Sequence, residues 1–122
     1  MKLSEIAKGI DARLIPGPGA ADCEVSRVYA GDRISDLIEQ AAPDTLLVTN
    51  IANSQLIRVA ELMDVPGLCL VNGAEPAPEL AAAADKNGIR IMVSAAGLFE
   101  TCGKLYRCLP GTDGAGREGG RT

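Results

Sequence analysis

The sequence predicts an α/β fold in which a small, mainly parallel sheet is packed against helices. Three short apolar runs lie at nearly even spacing in the middle of the chain, and each is followed by small polar residues and then by a helical pattern. The runs are Leu46–Val48, Leu68–Val71 and Ile89–Val93. Repeated strand–helix units of this kind build parallel sheets, whose strands end at one common edge.

Two further helices and strands are predicted before these units. The chain opens with apolar residues at helical spacing, namely Leu3, Ile6, Ala7 and Ile10. A brief strand is predicted at 12–15, a turn or loop at 16–19, and a half-exposed strand at 25–29, where apolar and polar residues alternate. A second helix shows helical spacing at Ile34, Leu37, Ile38 and Ala41. Asp32 is positioned to cap this helix, and Pro43 ends it.

Each of the three regular units continues into a helix. The first helix starts near Asn53, with Asn53 or Ser54 as its cap. Its buried face is marked by Leu56, Val59, Ala60 and Met63. Two prolines, Pro76 and Pro78, stand at the entrance of the second helix, and Asn87-Gly88 provides its left-handed stop. The third helix is predicted over 96–108, with Phe99, Cys102 and Tyr106 on one side.

The length of 122 residues predicts one domain, which we place at residues 1–110. Residues 111–122 are glycine-rich, polar and without periodicity, so a disordered tail is predicted there. Residues 114–119 match the pattern Gly-x-Gly-x-x-Gly literally. That pattern binds a dinucleotide only where it joins a strand to a helix, so we assign no function to it.

The composition excludes several classes of function. The formal net charge of −4 repels phosphate backbones, and an aromatic fraction of 2% leaves few rings for base stacking, so no nucleic acid is expected as a partner. No apolar stretch is long enough to span a bilayer, and the amino terminus has no apolar signal core. We therefore expect a cytoplasmic protein with no membrane partner.

The four cysteines, Cys23, Cys69, Cys102 and Cys108, follow no metal-binding spacing, and the chain contains no histidine to complete a mixed zinc site. We expect free structural thiols in a reducing compartment, and neither a metal nor a cofactor. The alternative is a redox pair between Cys102 and Cys108. It is disfavoured because two residues six positions apart on one helix do not meet.

Polar residues follow each of the three central strands and define a candidate ligand site. They are Thr49, Asn50 and Asn53 after the first strand, Asn72 and Gly73 after the second, and Ser94 after the third. Backbone amides at helix amino ends, together with hydroxyl and amide side chains, can hold an anion or a polar head group. Each residue also has a purely structural explanation, as part of a turn or as a helix cap. Their common edge favours a shared site for a small polar or phosphorylated ligand, such as a nucleotide.

These loops do not contain a recognisable group of catalytic residues. The chain has no histidine and no phosphate-binding P-loop, and no lysine stands beside the three strand ends. The densest polar cluster consists of Asp32, Arg33, Ser35 and Asp36. Its acids could hold a divalent cation, or its arginine could pair with a phosphate. We prefer helix capping and a surface ion pair for this cluster, and we expect a non-catalytic protein.

From Leu46 to about Arg107, the sequence resembles a DRTGG domain. The resemblance is carried by Leu46–Thr49 with the loop to Asn53, by Gly67–Pro76, and by Gly88–Val93 leading to 99–101. The opening residues 3–7 and the segments at 31–32 and 35–37 resemble the small stand-alone members of that family.

The resemblance implies a fold similar to the amino-terminal domains of HPr kinase/phosphorylase and of Mur ligases. Domains of this family occur as regulatory or dimer-forming parts of larger proteins, and stand-alone members occur in anaerobic bacteria near iron-hydrogenase and electron-transfer genes. Together with the candidate site, this predicts a homodimeric regulatory module that senses a small phosphorylated ligand. An interaction module for a redox or hydrogenase-linked partner is the alternative.

Overall fold

The computed structural model describes residues 1–15 and 22–109, which form five helices and five strands. In chain order these are α1 (Leu3–Gly9), β1 (Arg13–Leu14), β2 (Arg27–Ala30), α2 (Ile34–Gln40), β3 (Thr45–Thr49), α3 (Ser54–Met63), β4 (Gly67–Leu70), α4 (Pro78–Lys86), β5 (Arg90–Val93) and α5 (Leu98–Cys108). The predicted loop at 16–19, the predicted tail at 111–122 and the glycine pattern at 114–119 lie outside the described residues.

The strands of the described residues form one sheet in the order β1-β5-β4-β3-β2. Strands β2 to β5 are parallel, with Val48 paired to Cys69 and Cys69 paired to Met92. Strand β1 lies at one edge and runs antiparallel to β5, so that Arg13 pairs with Val93. The predicted mainly parallel α/β architecture is therefore confirmed.

Helices cover both faces of the sheet, and the core is correspondingly divided in two. Alternate residues along each central strand point to opposite faces, so buried strands with continuous apolar sequences supply both cores. Helices α2, α3 and α4 pack on one face, against Leu47, Leu68, Leu70, Ile91 and Val93. Helices α1 and α5 pack on the other face, against Leu46, Val48, Cys69, Val71 and Met92. The result is a three-layer arrangement around an aliphatic core.

The central helices begin and end as predicted. Asn53 is the N-cap of α3, and its side-chain oxygen accepts a hydrogen bond from the Gln55 amide at 3.0 Å. Pro78 is the first residue of α4. Gly88, just beyond α4, has a φ of +72°, which is the predicted left-handed stop.

Two predictions for the first part of the chain are wrong in detail. Asp32 does not cap α2: the N-cap is Arg33, which makes no side-chain capping bond, and this arginine pairs with Asp36 at 3.8 Å. The strand predicted at 25–29 lies at Arg27–Ala30, because the preceding segment pairs with the amino terminus instead. The amide of Val25 donates to the carbonyl of Met1 at 2.8 Å.

Helix α5 starts at Leu98, two residues after the predicted start, and buries Thr101 and Leu105. The side that carries Phe99 and Tyr106 faces solvent, with Phe99 93% exposed. None of the helices within residues 1–15 and 22–109 combines the length and the hydrophobicity that crossing a membrane requires.

All four cysteines are free thiols, and Cys69 is buried within β4. Burial raises the pKa of the Cys69 thiol to about 12, so this group stays protonated in the folded protein at neutral pH.

Candidate functional site

Three strand-to-helix loops meet at the carboxyl ends of the central strands, at residues 50–53, 71–77 and 94–97; we call this region the loop edge. Backbone hydrogen bonds join the loops directly. The amide of Val71 donates to the carbonyl of Thr49 at 3.2 Å, and the amide of Gly73 donates to the carbonyl of Ser94 at 2.8 Å. The residues predicted from three distant parts of the sequence therefore lie at one edge of the molecule.

The loop after β4 turns through two consecutive residues with positive φ. Asn72 has a φ of +61° and Gly73 a φ of +65°, and both residues are exposed. The Asn72 amide donates to the carbonyl of Ala96 at 2.8 Å. Asparagine and glycine are the residues that adopt this conformation most readily. The turn holds the Asn72 side chain beside the β5–α5 loop, where a Cβ added at Gly97 would lie 3.4 Å from its Oδ1 atom.

Two of the predicted ligand residues, Thr49 and Ser94, are buried and bonded within the protein. Thr49 Oγ1 accepts a hydrogen bond from the Ile51 amide at 3.2 Å. Ser94 Oγ shares a hydrogen bond with Thr101 Oγ1 at 2.8 Å and accepts another from the Ala96 amide at 3.3 Å. These hydroxyls set the shapes of the loops. Thr101 was not predicted, because a threonine in a helix gives no indication in the sequence of a buried partner.

Asn50 and Asn53 present exposed side chains at the same edge. The capping bond of Asn53 uses its oxygen, so its NH2 group can still donate to a ligand. Because each parallel strand leads into the helix that follows it, α3, α4 and α5 all begin here. The amino end of a helix carries partial positive charge, which favours an anion nearby. Helices α3 and α4 present these ends on one face of the sheet, and α5 presents its end on the other.

An arginine that no sequence pattern indicates as a site residue reaches the loop edge. Antiparallel pairing of β1 with β5 places Arg13 beside Val93, the last residue of β5. Its guanidinium forms an ion pair with Glu75 of the β4–α4 loop, and the two side chains are 54% and 67% exposed. Sequence alone does not reveal this pair, because the two residues meet only when β1 joins the sheet.

The acidic cluster near α2 does not form a metal site in the structure. Asp32 is exposed, and Asp36 is paired with Arg33 on the surface. Across the described ranges, 1–15 and 22–109, no group of three or more cysteine, aspartate and glutamate side chains is arranged to hold a metal ion.

A cleft of about 440 Å³ lies away from these loops, between the end of α1 and the end of α5. It is lined by Gly9, Ile10, Asp11, Lys104, Arg107 and Cys108. None of the six residues predicted for the ligand site lines it.

The fold is similar to that of a solved regulatory protein. This is the crystal structure of the CBS and DRTGG domains of the regulatory region of Clostridium perfringens pyrophosphatase, complexed with its activator, diadenosine tetraphosphate; the TM-score is 0.66 and the sequence identity is 15%. The match covers 88% of this chain and 47% of the crystallised one, so the chain spans about half the length of that regulatory region. No family model and no curated protein matches the chain. The DRTGG-like α/β fold inferred from the sequence is therefore confirmed, as a likeness of fold.

Proposed function

We propose that the chain is a homodimeric regulatory module that binds a small phosphorylated ligand of the nucleotide type at the loop edge, without catalysing its turnover. The observation that carries this proposal is that exposed amide side chains, one guanidinium and the amino ends of α3, α4 and α5 all lie along a single edge of the sheet. A regulatory protein of similar fold binds a nucleotide activator, diadenosine tetraphosphate, which supports the choice of ligand class.

The residues divide into two roles in this proposal. Asn50, Asn53 and Asn72 offer exposed carboxamides to the ligand, and Gly73 leaves room beside them, since nothing lies within 4 Å of a Cβ placed there. Thr49 and Ser94 are positioning residues, because their buried hydroxyls hold the loops in shape.

Arg13 supplies the positive charge that a phosphate requires. In the absence of a ligand it neutralises Glu75, whose carboxylate would otherwise repel an anion. A guanidinium has five N–H donors, so Arg13 can keep contact with Glu75 while it donates to a phosphate oxygen. A ligand phosphate beside Arg13 would therefore join a charge network that already exists.

A non-catalytic role fits the chemistry of these residues. The chain contains no histidine, and the carboxylate of the β4–α4 loop is engaged by Arg13. Amides and a paired guanidinium can bind a charged group, but they do not transfer protons at neutral pH.

A nucleotide bound to the protein should consequently be recovered intact after prolonged incubation. Chromatography of the nucleotide released from the protein measures this.

Titration calorimetry with diadenosine tetraphosphate, ATP, AMP and acetyl phosphate tests the proposal. We expect at least one of these ligands to bind, and Arg13→Gln to weaken its binding by about tenfold or more, because a hydrogen bond to a charged group contributes roughly 1.5–3 kcal/mol. Asn72→Gly should also weaken binding, because it removes the carboxamide but keeps a residue that tolerates positive φ.

Arg27→Gln is the matched control, because Arg27 is an exposed arginine at the opposite end of a strand, the start of β2. It should leave the affinity unchanged. A folded sample that binds none of the four compounds, or an affinity that Arg13→Gln and Asn72→Gly leave at the wild-type value, would refute the proposal.

A further inference from the structure

The outer side of α5 carries an exposed apolar stripe that nothing in the described part of the chain covers. We define the α5 stripe as Phe99, Cys102, Gly103 and Tyr106, which share one side of the helix by their spacing. Phe99 is the only phenylalanine in the sequence and is 93% exposed, and Tyr106 is 46% exposed. Most aromatic side chains are largely buried in folded proteins, so this exposure points to a partner.

Gly103, in the centre of the stripe, is not required by any contact within the described part of the fold. A Cβ added there would meet nothing within 4 Å, and its φ is not positive. Glycine inside a helix lowers helix stability relative to alanine, so the position is unfavourable for the monomer. What the glycine does provide is space on the outer surface of α5, between two aromatic rings.

We propose that a second copy of this chain binds the α5 stripe, with the two α5 helices antiparallel. Phe99 and Tyr106 lie at nearly equal distances on either side of Gly103 along the helix. In an antiparallel pair, Phe99 of one copy therefore faces Gly103 and Tyr106 of the other, and the same contact forms twice. This self-complementarity is what a two-fold dimer requires.

The charges beside the stripe fit the same arrangement. Glu100 and Arg107 lie on one flank of the stripe, and both are exposed. The Glu100 side chain, which is 65% exposed, also forms a surface ion pair with Lys104 of the same helix at 3.7 Å. Equivalent flanks face each other in an antiparallel pair, so each Glu100 meets the Arg107 of the second copy. In a parallel two-fold pair, opposite flanks of the two helices would face each other, so Glu100 and Arg107 would not meet.

This inference deepens the dimer part of the proposed function and does not depend on the ligand. Sedimentation equilibrium of the full chain without ligand should show a monomer–dimer equilibrium. Phe99→Ala should raise the dissociation constant by about tenfold or more, as removal of a central aromatic contact does. Leu62→Ala is the control, because Leu62 is 76% exposed on α3, and it should leave the dissociation constant unchanged.

A charge exchange tests the antiparallel orientation. Glu100→Lys and Arg107→Glu each place like charges opposite one another and should each weaken the homodimer. An equimolar mixture of the two variants should dimerise again, because each heterodimer then contains two pairs of opposite charge.

A wild-type chain that remains monomeric, a Phe99→Ala variant with the wild-type dissociation constant, or a mixture that fails to dimerise would overturn the inference. A monomer that still binds a nucleotide would overturn the α5 contact alone. A dimer that binds none of the four phosphorylated compounds would refute the ligand proposal and leave the α5 contact standing.

Discussion

Gly73 is required by its backbone conformation and not by lack of space. Its φ is +65°, and a Cβ at this position would meet nothing within 4 Å. Gly73→Ala should therefore lower the free energy of unfolding by about 1–2 kcal/mol, the cost of placing an L-residue in the left-handed region. Urea denaturation measures this change.

Gly103→Ala is the comparison, because Gly103 also has open space around it but lies inside α5. At a protein concentration low enough to keep the chain monomeric, it should raise the free energy of unfolding by about 0.5–1 kcal/mol. A Gly73→Ala variant at least as stable as the wild type would contradict the assignment of Gly73 to the left-handed region. A Gly103→Ala variant that loses stability would contradict the prediction for α5.

Single residues also show how much of the site the sequence could predict. Thr49, Asn72 and Ser94 were placed at one edge because they follow parallel strands, and this holds in the structure. The burial of Thr49 and Ser94 could not be predicted, because a hydroxyl after a strand can equally face a ligand or the loop that it shapes. The local sequence looks the same whether the hydroxyl faces a ligand or its own loop.

At the scale of elements, α1 can pack closely against the sheet because position 67 is a glycine, which has no side chain. A Cβ at this first residue of β4 would lie 3.2 Å from the carbonyl oxygen of Arg90 and would collide with the side chain of Leu3. Gly67→Ala should therefore lower the free energy of unfolding by about 1–3 kcal/mol, the usual cost of overpacking.

Leu3→Ala tests whether the collision with α1 causes that loss. The shorter side chain makes room for the new methyl group, so the double variant should lose less stability than the sum of the two single variants. Strict additivity in urea denaturation would show that Leu3 is not the obstacle and that the Arg90 carbonyl accounts for the effect.

Helix boundaries were predicted correctly where the capping chemistry is local. Asn53 caps α3 through its own side chain, and Gly88 ends α4 through its own φ angle. Asp32 had the right residue type for a cap but lies one position too early, since α2 takes Arg33 as its N-cap.

At the scale of the whole molecule, two carboxylates join segments that lie far apart in the amino-terminal part of the chain, and they make stability depend on pH. The hydroxyl of Ser4 donates to Asp22, and the hydroxyl of Ser26 donates to Asp44 at 2.7 Å; these bonds are the largest causes that lower the pKa of the two carboxyls. The unfolded chain, with an ordinary pKa of 3.8, therefore takes up protons first as the pH falls.

Stability should consequently be highest above this value and should decline as the pH falls below about 4, toward the lowered pKa of the folded state. Thermal denaturation between about pH 5 and pH 3 measures the decline. Ser26→Ala should make it shallower, because the Asp44 carboxyl then loses its main hydrogen bond. Ser35→Ala, at an exposed serine of α2, should retain the wild-type slope. Equal slopes for wild type and Ser26→Ala would contradict the prediction.

The sequence by itself determined the α/β class, the parallel central strands and the loops in which polar residues gather, because each follows from the spacing of apolar residues over short stretches of chain. Only the tertiary structure decided that β1 joins β5 and brings Arg13 to Glu75, that Thr49 and Ser94 are buried, and that Phe99 faces solvent. These outcomes depend on contacts between residues far apart in the chain, and local periodicity carries no information about which distant surfaces meet.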